Sequence, residues 1–465
     1  MVDQTVGQGW SSLLRREWMP IIAVLLGGVL LQSMNVLLVT TVLPSIVAEL
    51  GGLSMLSWPT TAYLGASIAA ASCAGALATA IGPRRLYCIG VATFAVGSIM
   101  CAFAPAMGWI VAGRLVQGFG GGLEAATAYV VIRATFPEQI WSRTIALLST
   151  SWSVSVLLGP LVGGTFASLG SWRGAFVTTA VIAAVLGAAA SVILPSTTST
   201  PRSSGAGLPL ARVALICGAI AATSVSSIAP LLPSVGLIAI AIVALVIMLR
   251  LDRAAINRLM PSDAFSWRTS TGTGLWLGLL VCVSYSPLQL FVPLFLQQLH
   301  GLNPLAAGFA VAAASLGWTG ASLATAGAPR AWTDRFLIVG PLLMGMSLTA
   351  LALLIPAAPV FTIIPAIILL GIGIGQCWPF IAHRVMAGAQ PGDETVAASS
   401  VPTIQQVGLA LGSAVAGVVA SASGLSTELT RADLMSAAFW VPIAFVGFAA
   451  AAFVAGLRLV RLSMV

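Results

Sequence analysis

The sequence predicts an all-α, polytopic membrane protein: two six-helix bundles separated by an inserted two-helix hairpin, fourteen transmembrane helices in total. Three observations predict it. The composition is too apolar for a water-facing surface, the apolar runs recur at bilayer length, and the arginines fall almost entirely on one side of the implied topology.

Apolar residues make up 58% of the chain and charged residues 7%, against roughly a quarter charged in ordinary globular domains. A surface built from so few polar side chains must face hydrocarbon. The formal charge of +8 does not indicate nucleic acid. All twenty basic residues are arginines scattered between apolar runs, with no basic stripe and no aromatic platform. The six cysteines lie in or beside apolar runs without CxxC or zinc-ligand spacing, so they are expected to be small core residues.

A helix rising about 1.5 Å per residue needs about twenty residues to cross roughly 30 Å of hydrocarbon. Residues 1–18 are polar and end on Arg15 and Arg16. The run from Pro20 to Leu43 is too long for a signal-peptide core, so a retained first span is expected. Further spans follow at 58–80, 86–104, 109–132, 143–168 and 173–194, completing a first bundle over residues 1–194. A polar stretch from Pro195 to Pro209 leads into two shorter runs, 211–228 and 232–250, joined at a Pro230–Pro233 turn. With the arginine-bearing loop that reaches Arg268, they form an inserted segment over 195–268. Six more spans, at 270–297, 304–327, 336–355, 360–383, 397–422 and 436–457, make the second bundle of 269–465.

With a cytoplasmic N-terminus this topology places seventeen arginines inside and two, Arg173 and Arg431, outside. Arg114 falls within a span. The bias matches the positive-inside rule and puts both termini in the cytoplasm of a cell with this protein in its inner membrane. An internal echo points to duplication. Leu77-Ala-Thr-Ala-Ile-Gly-Pro-Arg-Arg85 follows span two, and Leu323-Ala-Thr-Ala-Gly-Ala-Pro-Arg-Ala331 follows the second span of the last six.

Span four carries Arg114-Leu-Val-Gln117-Gly118-Phe-Gly120, and span five carries Gly159-Pro160-Leu-Val-Gly163-Gly164, with Trp172-Arg173 beyond it. In the second half, Phe291-Val-Pro293-Leu-Phe-Leu-Gln297-Gln298 precedes Gly301-Leu-Asn-Pro304. In these motifs and their order the chain resembles the major facilitator superfamily, and within it the fourteen-span drug:proton antiporters. The resemblance covers nearly the whole chain and implies that family's fold, a monomer, and a hinge at the span-five motif. Two departures stand out. The family's loop signature after span two, with an acid and several basic residues, reads here Gly75, Thr79, Gly82, Arg84 and Arg85, with Thr79 at the acidic position. The family's first-span acid is replaced by Asn35.

Arg114 and Glu124 are the clear intramembrane charges, and such residues are functional candidates because burying charge is costly. At 100° per residue, Gln117 lies roughly 60° and Glu124 roughly 80° around the helix from Arg114, so the three share one stripe, as on a helix facing a wet cavity. The rise separates Arg114 from Glu124 by about 15 Å, too far for an ion pair. Glu124 is the one span carboxylate that could bind and release a proton, while Arg114 holds a fixed charge. The plainer reading is that Arg114 and Gln117 tie span four to span one and Glu124 caps a water pocket.

Candidate substrate-cavity residues are Gln32, Asn35, Tyr63 and Trp152 in the first half, and Tyr285, Gln289, Gln376, Trp378, Gln405 and Gln406 in the second. Amides and aromatics with almost no fixed charge suit an amphipathic, drug-like small molecule, although any one of them could instead serve as an interfacial anchor or helix–helix bond. Trp58 and Trp109 sit near span ends as anchors, and His300 and His383 are expected at the surface. No phosphate loop, HExxH site or nucleophile elbow occurs, so no cofactor, metal or enzymatic activity is expected. Uphill transport would then draw on an ion gradient, with protons the expected coupling ion. The alternatives are an uptake symporter or facilitator for a small solute, and a transport-inactive membrane scaffold or sensor.

Overall fold

Every backbone N–H and C=O in hydrocarbon needs an internal partner, and a long apolar run meets that need as a helix. The computed structural model describes residues 10, 13, 15–52, 55, 58–196, 209–226, 231–255, 257–425 and 430–462. Arg202, Pro230 and most of the polar stretch between the first bundle and the hairpin lie outside the described residues. Among the described residues there is no strand, and thirteen helices are long and apolar enough to cross a membrane.

The first six helices are α1 (Met19–Leu50), α2 (Trp58–Ile81), α3 (Pro83–Ala102), α4 (Met107–Thr135), α5 (Trp141–Ser168) and α6 (Trp172–Ile193). The hairpin is α7 (Leu210–Ser226) and α8 (Leu231–Arg253). With 17 residues α7 is the short one of the pair. Counted with the thirteen, it gives fourteen apolar helices. Pro233, expected in a turn, lies in the first turn of α8, where a missing N–H costs nothing.

The second half comprises α9 (Ser270–Leu290), α10 (Val292–His300), α11 (Pro304–Thr325), α12 (Arg330–Ala357), α13 (Val360–Ala387), α14 (Glu394–Ala422) and α15 (Arg431–Leu462). The span expected at 270–297 is thus interrupted at Phe291. Pro287 inside α9 and Pro293 at the start of α10 each lack a backbone donor, which breaks the hydrogen-bond ladder there.

The chain forms two units: Met1–Cys217 with Asp252–Met260 and Pro391–Thr403, and Gly218–Leu251 with Pro261–Gln390 and Ile404–Val465. In the first, α4 packs on α2 and α3, α1 on α5 and α6, and α3 on α6. The glycine cluster of α4 explains these close approaches. A Cβ on Gly118 or Gly122 would overlap the carbonyl oxygen of Tyr63 or Ser67 on α2, and one on Gly120 would overlap the backbone of Phe94 on α3. Small residues one turn apart let helix backbones touch. The second unit repeats the device, with Gly371 and Gly375 of α13 against the carbonyls of Ala314 and Trp318 on α11. Gly82, at φ 86°, turns the chain from α2 into α3, a backbone conformation that favours glycine.

Two polar latches hold helix ends. At the end of α1, Glu49 accepts from Trp172 Nε1 at 2.7 Å and pairs with Arg173 at 2.5 Å, while Arg173 also reaches the Ala104 carbonyl at 3.2 Å. At the base of the hairpin, buried Asp252 accepts from the backbone N–H groups of Leu259 and Met260 at 2.9 Å and is ion-paired with Arg212. Arg212 donates as well to the Asn257 carbonyl at 2.7 Å. The histidines are half-buried rather than surface residues, and a ring nitrogen of His300 lies 2.9 Å from the Ile355 carbonyl oxygen.

Candidate functional site

Arg114 is fully buried in the first unit. Its Nη1 donates to Asn35 Oδ1 on α1 and to Gln117 Oε1 at 2.6 Å, and its Nε donates to the Pro59 carbonyl on α2 at 3.3 Å. The guanidinium lies 4.0 Å from the centroid of the Tyr63 ring, a cation–π contact. Gln117 in turn donates to Ser98 Oγ on α3 at 2.7 Å. The stripe expected to face a wet cavity is instead fully buried, with Arg114 and Gln117 0% and Glu124 1% exposed, because its polar groups are taken up by three neighbouring helices. Arg114 ties α4 to α1 and α2, and Gln117 ties it to α3 rather than to α1. Each of these partners is neutral, and no carboxylate among the described residues pairs with Arg114.

Glu124 occupies a separate buried place along α4, and no ion pair joins it to Arg114 among the described residues. Its Oε1 is 3.4 Å from the Tyr87 hydroxyl, and its Oε2 has no hydrogen-bond partner. Tyr87 also lies 2.9 Å from the Val24 carbonyl on α1. The carboxyl fits against Gly28, where a Cβ would overlap both Oε1 and the Tyr87 hydroxyl.

The other expected residues divide by unit. In the first, Gln32 is buried and donates to Ser67 at 3.4 Å, Tyr63 donates to the Gln32 carbonyl at 3.4 Å, and Trp152 is half-buried. In the second, Tyr285 of α9 meets Trp318 of α11 edge-on at 5.3 Å, and Trp318 meets Trp378 of α13 at 6.4 Å. Gln376 is buried on α13, two residues from Trp378 and so roughly 200° around the helix from it. Gln289 is exposed, and Gln405 and Gln406 are half-buried.

The family model described as Major Facilitator Superfamily matches residues 25–413. The chain belongs to that superfamily. A probable multidrug-efflux transporter of Mycobacterium tuberculosis is 34% identical over 424 residues, covering 88% of this chain and 89% of the relative. The tetracenomycin C resistance and export protein of Streptomyces glaucescens is 28% identical over 424 residues, covering 88% and 77%. Among solved structures, the human organic anion transporter MFSD10 superposes with a TM-score of 0.70 at 15% identity, covering 94% of this chain and 99% of that one, a likeness of fold. The chain is thus a multi-pass membrane transporter acting on small molecules, and its family and relatives are transporters rather than enzymes.

The motif positions singled out in the sequence have visible structural surroundings. Asn35, at the acidic position, offers Arg114 an amide oxygen in place of a carboxylate. Thr79 donates back to the Gly75 carbonyl of its own helix at 2.9 Å, and Gly75 lies against Val396 and Ser399. Arg84 is half-buried and Arg85 exposed. In the span-five motif, Gly159 and Gly163 rest on α1, Pro160 sits inside α5, and Gly164 has nothing within 4 Å of a would-be Cβ.

Sequence reasoning missed Tyr87, Ser98 and Trp318, which complete these clusters, and a serine seam in which Ser33 and Ser155 lie 2.5 Å apart. One signal was available for Tyr87. The chain has four tyrosines, Tyr63, Tyr87, Tyr129 and Tyr285, and all four are buried, where each hydroxyl needs a partner.

Proposed function

We propose that this transporter exports amphipathic, drug-like small molecules by proton antiport and alternating access, and that Glu124 carries the coupling proton. Multidrug efflux and antibiotic export in the names of its relatives support the export reading. The arginine bias supports an inner-membrane protein with both termini cytoplasmic. The span-five glycines and Pro160 serve as the hinge, and the protein works as a monomer.

One observation carries the proton assignment. Among the described residues, buried Asp252 is satisfied by Arg212 and backbone donors and Asp393 pairs with Arg258 at 3.5 Å, whereas Glu124 has no cation and one empty oxygen. Asp263, whose carboxylate oxygens also lack hydrogen-bond partners, lies in the loop between α8 and α9 and not in a span. The Tyr87 hydroxyl lies 3.4 Å from Glu124 Oε1 and 2.9 Å from the Val24 carbonyl, so its single proton cannot serve both acceptors at once. Glu124 thus has one shared donor, and loss of its proton would leave a buried charge with no cation beside it.

The test uses proteoliposomes with a trapped pH dye and a panel of amphipathic compounds, comparing the parent with Glu124→Gln. Loss of compound-driven proton movement with binding retained supports the assignment. Proton movement of parental size in Glu124→Gln removes Glu124 from the role, and transport without any proton movement makes the protein a facilitator.

A further inference from the structure

We infer that Arg114 and Asn35 form an anion-binding subsite that receives a carboxylate of the cargo, making weakly acidic amphipathic compounds a preferred class for this transporter. The inference deepens the export reading and rests on it for the passage of cargo past α4. It requires nothing of Glu124.

Three observations carry it. The guanidinium of Arg114 is 0% exposed and, among the described residues, meets the neutral oxygens of Asn35, Gln117 and Pro59 and the face of Tyr63 with no carboxylate beside it. A buried charge without a counter-charge is costly even when hydrogen-bonded. Asn35 is also 0% exposed, and its Nδ2 has no hydrogen-bond partner. The same amide that gives its oxygen to Arg114 thus holds an unused donor beside the unbalanced positive charge. A carboxylate answers both needs, since one group supplies the missing charge and accepts from the spare N–H.

The third observation is the covering side chain. The Tyr63 ring lies over the guanidinium and is held through its hydroxyl by one 3.4 Å hydrogen bond to the Gln32 carbonyl. The subsite is closed in this structure, and Tyr63 is the part whose swing would open it. A cargo carboxylate would then take over the place of the ring face. An aspartate at position 35 would fill the subsite from within, so the amide at that position is what leaves Arg114 available to a ligand.

The experiment is calorimetric titration of the full chain in lipid nanodiscs, without a pH gradient. The probes are 1-naphthaleneacetate and 1-naphthaleneacetamide, which share a ring and differ in charge. The parent is expected to bind the carboxylate at least about tenfold more tightly than the amide, the scale of a charge-assisted hydrogen bond. Asn35→Asp should abolish that preference while its Tm stays at or above the parent's. If Asn35→Asp fails to fold, Asn35→Ala carries the test and should lose several-fold of the preference.

Equal binding of the two probes by the parent would overturn the inference, as would an undiminished preference in a folded Asn35→Asp. The same titration is repeated with chloride replaced by gluconate. A preference present in both buffers supports a cargo subsite, whereas one that appears only without chloride assigns the pocket to an inorganic anion and overturns it. Lost proton movement with the carboxylate preference intact would sink the proton reading alone. Lost preference with proton movement intact would sink this one alone.

Discussion

Gly163 of α5 and Gly412 of α14 stand in the same relation to the helix each packs against: a Cβ on either would lie 2.8 Å from a carbonyl oxygen, Leu38 on α1 in one case and Val283 on α9 in the other. Four residues earlier the match repeats, with Gly159 2.7 Å from Leu37 Cβ and Gly408 2.7 Å from Cys282 Cβ. The span-five glycines therefore have a packing counterpart in the second unit, the G-x-x-x-G pair Gly408 and Gly412. Both pairs set a backbone-to-backbone seam that a methyl group would force apart.

Gly163→Ala and Gly412→Ala should each destabilise the protein by about 1–3 kcal/mol, the usual cost of overpacking a close contact. Gly164→Ala should not, because its Cβ would meet nothing within 4 Å and alanine is the better helix former. Thermal unfolding of the three variants in one detergent measures the contrast. Equal Tm values for Gly163→Ala and Gly164→Ala would remove the packing argument.

Asp252 organises the base of the hairpin by accepting from two backbone N–H groups and pairing with Arg212. Asp252→Ala deletes all of these bonds and leaves the Arg212 charge without its partner, a loss of roughly 3 kcal/mol for a buried pair. The expected readout is faster proteolytic cleavage in the segment 252–260 together with a lower Tm. Cleavage at the parental rate would show that the loop is held by other contacts.

How much of this was legible beforehand follows from the range over which each feature is encoded. Span number and helix type were readable because bilayer thickness sets the length of each apolar run, and each run is local. The stripe Arg114, Gln117 and Glu124 was readable because one helix's period places it. Of its partners, the tie of Arg114 to span one was among the readings of the sequence and is met by Asn35, whereas Tyr87 and Ser98 were not foreseen, because they come from α3 and local periodicity says nothing of cross-helix neighbours. The break at Phe291 was hidden for another reason. Prolines such as Pro287 and Pro293 break a span here, but others lie within unbroken helices, as Pro442 does in α15, so proline alone does not mark an interruption. Gly408 and Gly412 were present as a G-x-x-x-G pair, a pattern too common in apolar helices to be singled out.

The aromatic cluster of the second unit yields a prediction about cargo shape. Trp318 meets both Tyr285 and Trp378 edge-on, and its Nε1 is buried without a hydrogen-bond partner. Trp378→Leu removes one face of this cluster, and aromatic contacts contribute about 0.5–1.5 kcal/mol beyond their area. Binding of planar aromatic compounds should weaken roughly two- to tenfold on that basis, with aliphatic compounds of similar size less affected. A uniform loss across both sets would point to a folding defect instead of a cargo contact.

Gly28 gives the most direct geometric handle on Glu124. An alanine there would place its methyl group in overlap with Glu124 Oε1 and the Tyr87 hydroxyl, and 2.9 Å from Glu124 Cδ. The backbone of α1 is fixed by its seam with α5, so the movable part is the carboxyl, which must turn away from Tyr87. If the coupling proton resides on this carboxyl, Gly28→Ala should cut compound-driven proton movement by at least about tenfold, the scale on which misplacing a functional group acts, while compounds still bind. Gly27→Ala is the matched control, since its Cβ would meet only the terminal Leu186 Cδ1 at 3.1 Å, a methyl that can yield. Proton movement that survives unchanged in Gly28→Ala, with Glu124 displaced, would separate the carboxyl from the coupling step.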